Sequence, residues 1–141
     1  MKTFLYSSAI LILTLFSSCA SQAQVMEGNT KNNYVVLTKK VPQLQPIILT
    51  AEALKREDGA NFGDFQVIIC GQEIGDITEA EKMGDFIKEA EASGVTIVAC
   101  GFSLNKFNVD KTKIPKDIEI VENGILYNFQ LQKKGYKSLS L

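Results

Sequence analysis

The sequence predicts an α/β fold built on a mainly parallel sheet of about five strands. Three observations carry this. Short apolar runs of strand length alternate along the chain with segments of helical spacing. One of those runs, "FQVIIC" (65–70), is apolar but for Gln66, as expected of a strand covered on both faces, and "VTIVAC" (95–100) is the strand that follows it. A single amphipathic segment separates them, so the pair reads as one strand–helix–strand unit, and such a crossover makes the two strands parallel.

The elements follow in order. "YVVLT" (34–38) is a β-branched run of strand length. "KKVPQLQP" interrupts it, and Pro46 suits the first turn of a helix over "IILTAEALKRED", with Ile47, Ala51 and Leu54 on one face. The two glycines of "GANFGD" end that helix before the second strand, 65–70. "GQEIGD" (71–76) lacks the glycine spacing of a dinucleotide loop and reads as a turn. Thr78 and Glu81 have capping-box spacing, and Ala80, Met83, Phe86, Ile87 and Ala90 follow at helical intervals up to Gly94. After the third strand, 95–100, comes a loop with one helical turn near 103–107. Then follow a strand at 118–122, a helix capped by Asn123 and ended by Gly135, and a short last strand in "YKSLSL".

The first 23 residues are expected to stand apart from this domain. Lys2, an apolar run from Ala9 to Phe16 and small residues thereafter form the three parts of a secretory signal peptide, too short for a membrane span. "Ser21-Gln22-Ala23" offers one cleavage point. "Leu15-Phe16-Ser17-Ser18-Cys19" resembles a bacterial lipobox, in which Cys19 is lipidated. Residues 24–33 are polar and aperiodic and read as a flexible linker, with the domain over 34–141. The expected address is therefore the bacterial cell envelope, as a periplasmic or a lipid-anchored protein, with a lipid the sole membrane attachment.

Composition narrows the chemistry. Lys plus Arg number 15 against 16 Asp plus Glu, and no basic block exceeds two residues, so nothing supplies the phosphate neutralisation that nucleic-acid binding needs. The chain has no histidine, which removes Ser-His and Cys-His catalysis and His-ligated metal. Neither a cofactor nor a metal is expected. Glu73, Asp76, Glu79 and Glu81 are explained as solvated charge at a helix start. Tyr127 and Tyr136 read as packing aromatics with a polar tip.

Both apolar runs end in Cys-Gly, at Cys70-Gly71 and Cys100-Gly101. In open parallel sheets, ligands bind beyond the carboxyl ends of the strands, where both cysteines fall. Cys100 has the stronger case, because a helix turn beginning near it would aim backbone N–H groups at the sulfur, and Lys106 is a basic neighbour that could support a thiolate. Cys70 ends the more apolar run and is the better candidate for burial. A bridge between them requires Cα atoms roughly 4.4–6.8 Å apart and side chains on one face. No Cys-x-x-Cys occurs, so a thioredoxin-like dithiol has no support. Reactive pair, structural bridge, and one reactive thiol beside an inert one all remain open on these grounds, as does a pair of small buried cysteines with no role.

Over 34–141 the chain resembles the DsrE/DsrF-like family, the sulfur-relay proteins that include the TusD type. The likeness rests on "FQVIICGQEI", on "GVTIVACGFSLNKFNV", and on "IEIVENGILYNFQLQKKGYKSLSL" with its Leu-Gln and Gly-Tyr. It implies a three-layer α/β/α domain that assembles into homo-trimers or hexamers. It further implies that Cys100, followed by Ser103, Leu104 and Lys106, accepts sulfur as a persulfide and passes it to a partner. Cys70 stands where relatives often carry His. The export signal is a second departure, since relay members that modify transfer RNA work in the cytoplasm. The resulting expectation is an exported sulfur carrier rather than a turnover enzyme, with donor and acceptor unidentified. The alternative is an oligomerising or small-ligand-binding envelope module in which Cys100 is inert.

Overall fold

The computed structural model describes residues 31–141. The signal segment 1–23, Cys19 and most of the 24–33 linker lie outside the described residues. Strand β1 spans Asn32–Thr38, so the last two residues assigned to the linker already belong to the sheet. Asn33 ties them down: its Oδ1 accepts from the Asp64 N–H at 2.8 Å across the neighbouring strand.

A 3₁₀ turn at Val41–Gln43 leads into α1, Leu44–Asp58, where Pro46 sits in the first turn as its fixed φ favours. Strand β2 runs Phe62–Ile69, longer at its start than the apolar run suggested. "GQEIGD" is a 3₁₀ helix, Gln72–Thr78, rather than a turn. Helix α2 is Ala80–Ser93, closed by Gly94 in the left-handed conformation (φ 74°, ψ 34°). Strand β3 is Val95–Cys100, and α3, Gly101–Lys106, starts on the next residue. Strand β4 is only Glu119–Val121; α4 spans Gly124–Lys133 and β5 spans Lys137–Ser140.

The Thr78–Glu81 capping box does not form. The Thr78 hydroxyl instead donates to the Gly75 carbonyl at 2.8 Å, closing the preceding 3₁₀ helix. The cap position falls on Glu79, whose carboxylate pairs with Lys82 at 2.6 Å.

The sheet is parallel throughout, in the order β4-β3-β2-β1-β5. β1 to β4 step in one direction, and the chain then returns over the sheet to place β5 beside β1. Right-handed crossovers put α1, α2 and α3 on one face and α4 on the other, giving three layers. The buried apolar side chains of β1, β2 and β3, among them Val35, Phe65, Val67, Ile68, Ile69 and Val98, form the core between these layers. Because connections from β3 and β4 leave toward opposite faces, a crevice is expected between their carboxyl ends.

Candidate functional site

Cys100 is the last residue of β3, at the carboxyl end of the strand beside that switch point. In the β2–β3 ladder Ile69 pairs with Ala99, so the next positions, Cys70 and Cys100, stand side by side. Side chains at neighbouring positions of parallel strands share a face, and here it is the face covered by α4. Gly124, the first residue of α4, lies directly against both. A Cβ built there would fall 2.6 Å from the Cys70 Sγ, 2.8 Å from Ile68 Cγ2 and 3.0 Å from Cys100 Cβ. Only glycine allows the start of α4 to come this close.

The approach brings a donor. The Gly124 N–H lies 3.2 Å from the Cys100 Sγ and donates to it. That N–H belongs to the first turn of α4, where backbone donors have no partner within the helix. Asn123 anchors the turn, its Oδ1 accepting from the N–H groups of Ile125 (3.0 Å) and Leu126 (3.2 Å). Gly101 allows a second close approach: a Cβ there would stand 2.8 Å from the Val121 carbonyl oxygen of β4. The Phe102 N–H donates to the Glu122 carbonyl at 2.8 Å, so the starts of α3 and α4 are joined around the sulfur.

Ser103, buried in α3, completes the setting. Its Oγ accepts from the Gly71 N–H at 3.0 Å, which leaves its hydroxyl proton free to point elsewhere. Burial raises the Cys100 thiol, but the Ser103 hydroxyl, the Gly124 N–H, the Ser103 N–H and the Cys70 thiol together bring it below its ordinary value. Cys70 behaves oppositely. Burial first, and then the neighbouring Cys100 charge, push its thiol up to about 12. The pair is therefore unequal: Cys100 favours the thiolate, and Cys70 is the protonated partner beside it. Both are free in this structure. Both are also buried, Cys100 at 2% exposure and Cys70 at 6%.

Lys106 is not brought to this sulfur. It sits at the exposed far end of α3 with its ammonium over the Phe107 ring, 5.8 Å from the centroid. The support assigned to it comes from neutral donors, Ser103 and Gly124. Gly124 was not among the expected site residues. Its signal is the Asn-Gly pair opening a helix, where a cap residue is followed by one able to pack against a strand end. The aromatics predicted to pack do so, and Tyr136 also donates to the Asp64 carboxylate at 2.6 Å.

No family model matches the chain, and no curated relative matches it. Among solved structures it is similar to a protein of unknown function, MTH1491, from Methanobacterium thermoautotrophicum. The TM-score is 0.58 at 13% identity, over 79% of this chain and 99% of that one. It is also similar to a conserved protein of unknown function, BT1422, from Bacteroides thetaiotaomicron, with TM-score 0.60 at 21% identity, over 78% of this chain and 95% of that one. At these identities the likenesses establish the fold: a single α/β domain shared almost end to end with both.

Proposed function

We propose that the chain is an exported, DsrE-like sulfur carrier that holds sulfane sulfur as a persulfide on Cys100. The observation that carries this reading is the Gly124 N–H donating to the Cys100 Sγ at the carboxyl end of β3. A backbone donor fixed by helix capping favours the thiolate and requires no proton acceptor. The Cys100 thiolate attacks the outer sulfur of a persulfide or polysulfide donor. A bond forms between the Cys100 Sγ and that sulfur, the donor's S–S bond breaks, and its remaining sulfur leaves as a thiolate or hydrosulfide. Burial of Cys100 selects a slender donor, an inorganic polysulfide rather than a protein persulfide, unless the roof of α4 moves.

The chain is further proposed to assemble with copies of itself. Ile125, Leu126 and Phe129 project from one side of α4 at spacings of three and four residues, all exposed, and Phe102 is exposed at the neighbouring start of α3. The export signal read from residues 1–23 supplies the address, with Cys19 the residue for lipidation.

A second reading is favoured by one specific observation, the 2% exposure of Cys100. It makes the domain an oligomerising or ligand-binding module whose thiol is inert. Alkylation rate against pH for each cysteine, followed by peptide mass spectrometry, separates the two. Carriage predicts fast modification of Cys100 below pH 9 and an added sulfur after polysulfide treatment. Slow modification of both thiols, with an ordinary pH midpoint, would establish the inert module instead.

A further inference from the structure

The carrier reading uses Cys100 and leaves Cys70 without a role, yet Cys70 is the closest thiol that a loaded Cys100 could meet. The two stand side by side one position beyond the Ile69–Ala99 pair, Cys70 just past the end of β2 and Cys100 the last residue of β3, and share the face beneath Gly124. Neighbouring strands lie about 4.8 Å apart, inside the roughly 4.4–6.8 Å that a disulfide spans between Cα atoms. The β2–β3 ladder ends at Ile69 and Ala99, so no sheet hydrogen bond between these two strands separates the pair, although Cys100 still pairs with Val121 of β4. The Cys70 N–H is held by the Thr38 carbonyl at 2.9 Å, while Gly71 beyond it takes a positive φ of 92° that turns the chain away. Both sulfurs are buried, so small thiols have poorer access to the inner sulfur than Cys70 has.

From this geometry we infer that Cys70 is a resolving thiol, which discharges a persulfide on Cys100 as hydrogen sulfide and closes a Cys70–Cys100 disulfide. The inference rests on the carrier reading. The Cys70 sulfur attacks the Cys100 Sγ of Cys100–S–SH. The bond between Cys70 Sγ and Cys100 Sγ forms, and the bond from Cys100 Sγ to the outer sulfur breaks. The Cys70 thiol proton goes to the departing hydrosulfide. The outer sulfur gains two electrons and the two cysteine sulfurs lose them. Two molecules of a low-molecular-weight thiol then reduce the disulfide, leaving as their own disulfide and restoring the pair.

The unequal thiols suit this order of events. While Cys100 is an unloaded thiolate, its charge helps keep Cys70 protonated. Loading converts the charged Cys100 sulfur to a neutral inner sulfur, open to attack when the outer sulfur carries its proton as Cys100–S–SH. The domain then does more than carry sulfur: it converts sulfane sulfur to sulfide, with a thiol as the reductant.

The test uses reduced full-length protein under anaerobic conditions, loaded with inorganic polysulfide and then desalted. Free sulfide is assayed with time, and each cysteine is followed by peptide mass spectrometry, which also separates Cys19 from the pair. Wild type is expected to lose the Cys100 persulfide while releasing one sulfide per Cys70–Cys100 linked peptide. Cys70→Ser and Cys70→Ala are expected to hold the persulfide at least tenfold longer with no linked peptide. Two replacements of different polarity, each compared with wild type by thermal melting, guard against a folding defect in one of them. If wild type holds its persulfide as long as the Cys70 variants do, the resolving role is overturned while carriage stands. A linked peptide in wild type with no sulfur ever detected on Cys100 of the variants means direct oxidation of the pair, and also overturns it. Failure of Cys100 to load in any of the proteins, with no linked peptide, removes the carrier reading and this inference with it.

Discussion

The Gly124 N–H reaches the Cys100 Sγ at 3.2 Å, joining the end of β3 to the first residue of α4. The contact lies on the α4 face of the sheet and depends on the absence of a side chain at position 124. Gly124→Ala would place a methyl group 2.6 Å from the Cys70 Sγ. Overpacking of this kind costs about 1–3 kcal/mol. Urea denaturation should register that loss, and the pH midpoint for Cys100 alkylation should rise as α4 is pushed off the sulfur. An unchanged midpoint would mean that the N–H does not set the thiolate.

Ser103 bridges the two Cys-Gly turns, accepting from Gly71 while favouring the Cys100 thiolate. Ser103→Ala should leave the part-buried Gly71 N–H without its partner, costing about 1 kcal/mol. It should also slow modification of Cys100 at neutral pH several-fold. Ser103→Thr keeps the hydroxyl and should restore most of the reactivity if it packs.

The two thiols give stability a pH signature of its own. Cys100 is lowered in the folded chain, so its contribution grows as pH rises from its folded value toward the unfolded value near 9.0. Cys70 is raised to about 12, so its contribution is complete below 9.0 and is lost as pH rises from there toward 12. The thiol-linked part of stability therefore peaks near pH 9. Tyr34 is raised to about 12 by its hydrogen bond to Asp58 and adds a second decline, beginning above 10.0. Urea midpoints measured from pH 7 to 10.5 should pass through this maximum, and Cys70→Ala should remove the decline between 9 and 10.

Asn123 caps α4 through two N–H groups, and Asn123→Ala should cost about 1 kcal/mol by the usual worth of such a cap. A cap with no bearing on the site would change only stability. Here the first turn holds the sulfur's donor, so a rise in the Cys100 alkylation midpoint is expected as well.

Phe129 is 57% exposed on the outer side of α4, beyond any contact with the cysteines. If that side joins copies of the chain, Phe129→Glu should shift the protein to monomer in light scattering without lowering its melting point below that of an isolated domain. A wild-type monomer at high concentration would sink the assembly proposal.

The strands were legible because "FQVIIC" and "VTIVAC" carry only one polar residue each, Gln66 and Thr96, too few to make a solvated face, as expected of strands covered on both sides. The Asn123 cap and the Gly94 stop were legible for a local reason: each acts within its own turn. Thr78 misled because its hydroxyl had a nearer acceptor, the Gly75 carbonyl, and sequence spacing does not rank acceptors. Lys106 misled in another way, being close to Cys100 in sequence but at the opposite end of a helix. Gly124 was hidden because its importance comes from 24 residues away, through a contact made only when the chain crosses to the other side of the sheet.

That separation also sets a timetable. Both cysteines are synthesised before the glycine that covers them. Cys100 precedes Gly124 by 24 residues, about 1–5 s at a synthesis rate of about 5–20 residues per second. Until α4 packs against the sheet, neither sulfur has the roof or the donor that makes the two unequal. A nascent chain thus passes through a stage in which Cys70 and Cys100 are two ordinary, open thiols. The arrival of α4 gives each its separate character, so the chemistry of the site is the last thing the fold acquires.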